Sequence, residues 1–96
     1  MVVYYSEIYK KWFRKLRDKM VKLSISRRIE KIEKDNHIGD ATYIGDNVYE
    51  LRIHHGPGYR VYFQKQNDKI IILLCGGDKS SQDSDILLAK NLAKEV

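Results

Sequence analysis

The sequence predicts an α+β domain, an antiparallel sheet packed by two N-terminal helices, in the order β-α-α-β-β-β-α. Three observations carry this prediction. Tyr49 to Phe63 alternates apolar and polar residues on either side of Gly56-Pro57-Gly58, the pattern of two strands joined by a turn. Ile70 to Cys75 is a continuous apolar run closed by Gly76-Gly77, which reads as a strand buried on both faces. Ahead of both, Val21, Ile25, Ile29 and Ile32 recur at four, four and three residues, one stripe of an amphipathic helix.

Taken in order, Val2 to Tyr5 is a short first strand, and Ser6 is placed to cap a helix with Ile8, Trp12 and Leu16 facing inward. The second helix carries Lys22, Arg27, Arg28, Lys31 and Lys34 on its outer face. Asn36 to Asn47, with Gly39-Asp40 and Gly45-Asp46, is expected to be a loop. In the hairpin that follows, the period of two sends Tyr49, Leu51 and Ile53 to one face and Glu50, Arg52 and His54 to the other. Tyr59, Val61 and Phe63 alternate in the same way with Arg60 and Tyr62. With the apolar sets on the core, Arg52, His54, Arg60 and Tyr62 share a wetter face. Asn67-Asp68 is the next turn, and Gly76-Gly77 turns the chain at the sheet rim just before Lys79. Ser80 or Ser81 then caps a last helix over Gln82 to Lys94, with Ile86, Ala89 and Ala93 inward.

A chain of 96 residues is expected to form a single domain over residues 1–96. Its net charge of +5 is uneven: Met1 to Lys34 holds 11 Lys and Arg against 4 Asp and Glu, and the remainder 7 against 9. A basic N-terminal third favours an anionic partner, nucleic acid or an acidic protein; the alternative is a merely solvated helix face. Cys75 stands alone inside an apolar run, which excludes an intramolecular disulfide and points to a core thiol rather than a nucleophile. With no apolar run long enough to span a bilayer and no signal-like N-terminus, the expected location is the cytoplasm.

For metal chemistry the candidates are His37, His54, His55 and scattered carboxylates, without a spacing that concentrates ligands, so no metal site is assigned. Metal-free RNA cleavage fits better. RNA carries its own nucleophile in the 2′-OH, and the protein need supply only a base, an acid and cations around the phosphate. Arg60 is the first candidate for the phosphate, because a guanidinium fork donates to two oxygens and stays charged; the alternative is a sheet arginine paired with Glu50. Arg52 is a second clamp or a structural ion pair. Lys79 binds phosphate or carries a proton, unless it is a solvated loop lysine. His54 suits general acid or base work, against the alternative of an exposed hairpin histidine. Tyr62 on the same face, and Arg27, Arg28 and Lys31 on the basic helix, are the candidate RNA contacts.

WFRKLRD at Trp12 to Asp18, Arg28-Ile29, Gly39-Asp40, YELR at Tyr49 to Arg52, GPGYRVYF at Gly56 to Phe63 and GGDKSSQ at Gly76 to Gln82, followed by Asp85-Ile86 and Ala89, run in order along nearly the whole chain. In combination they resemble the HigB-like branch of the RelE/ParE superfamily, toxins of bacterial type II toxin-antitoxin modules. The resemblance implies a RelE-like fold. It also implies an mRNA endoribonuclease acting with the ribosome, without metal or cofactor, and restrained by an antitoxin, here a HigA-like helix-turn-helix protein. It matches Arg60, Arg52 and Lys79 to the family's site and places Gln82 in the same motif, orienting a polar group or touching RNA. The tyrosine, histidine or arginine that assists catalysis near the C-terminus of several relatives has no counterpart after Lys79. Two alternatives share the fold: a ParE-like protein that poisons DNA gyrase by binding, and a degenerate toxin that keeps only antitoxin binding.

Overall fold

The computed structural model describes residues 1–95. Strand β1 (Val2–Tyr5) leads into helices α1 (Glu7–Lys15) and α2 (Lys19–Asp35), then strands β2 (Ala41–Gly45), β3 (Val48–Ile53), β4 (Tyr59–Asn67) and β5 (Ile70–Gly77), a 3₁₀ turn (Lys79–Ser81) and helix α3 (Gln82–Lys94). The sheet order is β1-β5-β4-β3-β2.

Two features of the sheet depart from what the sequence predicts. The stretch expected as a loop contains β2, which makes the sheet five-stranded. Gly45 pairs with Val48, and Asp46 and Asn47 between them take φ of 54° and 64°. Two left-handed residues in a two-residue connection make a tight hairpin turn whose twist matches the flanking strands. The residues that suggested a loop are therefore turn chemistry between strands. Further, β1 pairs with β5 in parallel, Val2 opposite Ile70, while every other pairing is antiparallel. A parallel neighbour needs a long crossover, and everything from α1 to β4 supplies it.

The helices begin where their caps are. Ser6 accepts a hydrogen bond from the Tyr9 backbone at 3.0 Å, and Asp18 receives the Met20 and Val21 amides. α2 buries Val21, Ile25, Ile29 and Ile32, the predicted stripe. α1 is rotated from the predicted one: Tyr9 is buried, Trp12, Phe13 and Leu16 are half-buried against the core, and Ile8 is exposed. Tyr9 stacks on Phe13 and packs tilted against Tyr5 and Trp12, a contact larger than Ile8 can offer.

α1 and α2 cover one face of the sheet over Leu51, Ile53, Val61, Phe63, Ile71 and Leu73. α3 covers part of the other, over Val48, Tyr62, Leu74 and Cys75. A bulge shifts the β4–β5 register, so that Tyr62 pairs with Cys75 and Phe63 with Leu73. Leu74 is the extra residue and packs with Cys75 under α3. β5 is thus apolar on both sides, as its unbroken run predicted.

At the end of β5 the glycines permit close approach. A Cβ on Gly77 would lie 1.8 Å from the Asp85 carboxylate and 2.8 Å from Ser81 Oγ, and one on Gly76 would meet the Trp12 ring at 2.4 Å. We expect Gly77→Ala to lower stability by about 1–3 kcal/mol, the usual cost of overpacking, measured by urea unfolding. A variant as stable as the parent would mean that Asp85 moves away freely.

Candidate functional site

α3 starts over the Gly77 end of the sheet and crosses towards Gln64, whose amide donates to the Ala93 carbonyl at 3.3 Å. The face beyond its N-terminus stays open where β3 and β4 meet the His54–Gly58 hairpin. Arg52 and Arg60 lie directly opposite each other there, and Glu50 lies opposite Tyr62. The Gly77 partner of Arg60 leads within two residues to Lys79.

Glu50 organises this corner. Its side chain is buried, with only 3% of the residue exposed. Oε1 lies 3.6 Å from Arg52 Nε and 3.7 Å from Arg60 Nε. Oε2 accepts from Gln82 Nε2 at 2.9 Å and from the Tyr62 hydroxyl at 3.2 Å. Arg60, with 13% of its side chain exposed, donates through Nη1 to the Gly58 carbonyl at 2.7 Å, while its buried Nε makes an ion pair without a hydrogen bond among the described residues. Arg52 is more open, with 47% of its side chain exposed.

Lys79 opens the 3₁₀ turn and, with Pro57, Asp78 and Ser80, lines an open cleft of about 340 Å³. Asp78 caps that turn. Hydrogen bonds from Ser80, chiefly from its side chain, hold the Asp78 carboxyl below its usual range, and the charge of Arg60 helps. A larger cleft of about 680 Å³ lies away from the arginines, between α1 and α2, with Tyr5, Tyr9, Phe13 and Ile29 among its lining.

His54 stands two residues beyond Arg52, with its Nε2 against Asp40 Oδ2 at 2.5 Å. That hydrogen bond is the main reason the Asp40 carboxyl is lowered, with Arg52 and Arg28 adding to it. In the neutral tautomer that donates from Nε2 to this carboxylate, Nδ1 is the acceptor. His55 turns instead towards Asp18, 3.8 Å away, so the two histidines diverge.

Several candidates take other positions than expected. Tyr62 is fully buried under α3 rather than on the wet face: the alternation gives its face correctly, but the helix covers that end of it. Burial, then the Glu50 charge, pushes its phenol up. Gln82 turns inward to Glu50, so of its two expected roles the structure fits the orienting of a polar group rather than a contact to RNA. Arg28 does not project with the basic face; it donates to the backbone carbonyls of Arg52, Ile38 and Asp40, at 2.7, 3.0 and 3.3 Å, tying α2 to the sheet edge. Arg27 and Lys31 are exposed on the outer side of α2, remote in sequence from the arginine pair. Burial, and then Asp85, raises the Cys75 thiol to about 12, as expected of a core cysteine. Glu50 is the residue whose weight the sequence understated. Its signal was a carboxylate at polar parity two residues before Arg52, across the sheet from Arg60 and Tyr62.

The model of the family described as phage derived protein Gp49-like (DUF891) matches residues 11–94. An uncharacterized protein of Haemophilus influenzae is 48% identical over 85 residues, which cover 88% of this chain and 85% of that protein. Among solved structures, the RelB-RelE antitoxin-toxin complex from Methanococcus jannaschii aligns with a TM-score of 0.68 at 20% identity, covering 85% of this chain and 96% of that one. The intact E. coli RelBE toxin-antitoxin complex aligns with a TM-score of 0.65 at 19% identity, covering 79% and 93%. These structures share the fold expected here, a RelE-like α+β arrangement.

Proposed function

Because this chain belongs to the Gp49-like phage-derived family and has the RelE-like fold, we propose that it is the toxin of a type II toxin-antitoxin pair, of the HigB-like branch. Its activity is that of an endoribonuclease that cuts mRNA on the ribosome, and its partner is an antitoxin of the HigA-like helix-turn-helix kind. The observation that carries the nuclease reading is the pair of opposed arginines, Arg52 and Arg60, sharing one buried carboxylate at the open end of the sheet. A binding protein without chemistry has no need of two opposed guanidiniums held at one buried carboxylate.

In this reading the 2′-OH of the RNA attacks the adjacent phosphorus, the 5′-oxygen departs, and a cyclic phosphate and a 5′-hydroxyl remain. Arg52 and Arg60 hold the phosphate oxygens as negative charge grows on them. His54, oriented by Asp40 at Nε2, has an Nδ1 without a partner among the described residues to take the 2′-OH proton. Lys79, at the neighbouring cleft two residues beyond Gly77, the strand partner of Arg60, is the candidate to protonate the leaving oxygen or bind the next phosphate. Arg27 and Lys31, with Lys34 beside them, offer α2 to the phosphates of ribosomal RNA.

The test is to add purified protein to a cell-free translation reaction and map new mRNA 5′ ends by primer extension, with and without ribosomes. Ends that appear only with ribosomes are the expected result. Cuts on naked RNA would remove the ribosome from the reading, and no cuts at all would overturn the nuclease and turn attention to gyrase.

A further inference from the structure

Like charges directly opposite one another on neighbouring strands are unfavourable, yet Arg52 and Arg60 are such a pair. The carboxylate between them is divided by geometry. Both donors that are fixed to the fold, the Tyr62 hydroxyl and the Gln82 amide, go to Oε2, and both guanidiniums face Oε1. At 3.6 and 3.7 Å the two Nε atoms feel the charge without being consumed by a fork-to-fork pair, which would occupy the terminal nitrogens instead. Arg60 spends one of those on the Gly58 carbonyl. Arg52 spends none on a partner among the described residues.

We infer that Glu50 is the positioning residue of this site: its buried carboxylate holds Arg52 and Arg60 from their Nε sides and turns their remaining terminal nitrogens together towards one phosphate group. Tyr62 and Gln82 are the two struts that keep the carboxylate in place, one from the sheet and one from the start of α3. The cluster keeps a net positive charge for an anion while the repulsion between the arginines is offset. That the phosphate belongs to RNA rests on the function proposed above; the hold of Glu50 on the two side chains stands on the distances alone.

The experiment compares wild type with Glu50→Gln, which preserves shape and removes the charge. In the ribosome-containing cleavage reaction, the rate at saturating mRNA should fall about 10- to 100-fold, the cost of misplacing catalytic groups by an ångström or so, while KM is unchanged or lower because a negative charge has left. In parallel, the Nε–H signals of Arg52 and Arg60 in isotope-labelled protein should shift and broaden, with that of Arg27, exposed on α2, as the unmoved control. A saturating rate equal to wild type, or unmoved Arg52 and Arg60 signals, would overturn the inference. If wild type itself leaves mRNA uncut, the nuclease reading fails on its own and the Nε–H signals decide this one. Should Glu50→Gln not fold, Gln82→Ala removes one strut from the same carboxylate, and it should move the same two signals; if it leaves them in place, the inference falls.

Discussion

Arg60→Ala should abolish cleavage of ribosome-bound mRNA, by about 10²- to 10³-fold on the scale of removing one donor to a developing oxyanion, while the protein remains folded. Both halves of that expectation come from the same surroundings. Arg60 sits opposite Gly77 on one side and Arg52 on the other, so it is the central cation of the open face. Its backbone carries the β3–β4 and β4–β5 ladders, which alanine preserves. What alanine removes is the side chain that packs over Glu50 and bonds the Gly58 carbonyl. The buried Glu50 carboxylate then keeps Arg52, Tyr62 and Gln82, so it is not left without partners, and the loss of stability should be modest. Arg52→Ala should cost less in rate, since Arg52 is the more solvated of the two and Arg60 remains. Circular dichroism and urea unfolding check the fold, and primer extension checks the cut. A well-folded Arg60→Ala protein that cuts at the parental rate would remove Arg60 from the chemistry.

The parts of this site that were visible in the sequence are those governed by a local period. Alternation put Glu50, Arg52, Arg60 and Tyr62 on one face, Gly56-Pro57-Gly58 gave the hairpin, and the pairing of Arg52 with Arg60 follows from the turn. What the period cannot say is which end of a face another element covers. α3 lies over Tyr62 and leaves Arg52 open, and that difference depends on where Ala89 and Ala93 land on the sheet. Arg28 shows the same limit: by helical position it belongs with Arg27 and Lys31, but it sits beside the sheet edge, where three carbonyls claim it. β2 was hidden for another reason. Its strand is short, and Gly45, Asp46 and Asn47 have the composition of a loop, although their left-handed backbone makes a tight turn. The α1 stripe is offset by one residue from the predicted one because spacing alone weighs Ile8 and Tyr9 equally, whereas the aromatic cluster favours Tyr9.

The second large effect concerns stability at alkaline pH, and it arises because three buried groups resist losing a proton. Burial raises the phenols of Tyr9 and Tyr62 above 10, and it raises the Cys75 thiol to about 12. In each case the folded state keeps a proton that the unfolded chain releases at the ordinary value, 9.0 for the thiol and 10.0 for the phenols. The native state therefore binds more protons than the unfolded one in that range, and unfolding becomes easier as pH rises. Below pH 9 the contribution is fully present. Above it the thiol begins to cost stability, and the phenols join above 10, each by up to about 1.4 kcal/mol per pH unit. By pH 11 the three together reach several kcal/mol, a large share of the roughly 5–15 kcal/mol that holds a domain of this kind. We expect the urea midpoint to be flat from pH 7 to about 8.5 and to fall steeply by pH 11. Cys75→Ala should delay the onset of that fall by removing the first group to titrate, even though the shorter side chain lowers stability at neutral pH. Tyr62→Phe should make the fall shallower above pH 10, and it should do so without freeing Glu50, because Gln82 still donates to the same oxygen. An alkaline profile in Tyr62→Phe that superimposes on the parental one would show that the Tyr62 hydroxyl exchanges with water and is not held under α3. The strut that Tyr62 gives to Glu50 would then have to be withdrawn as well.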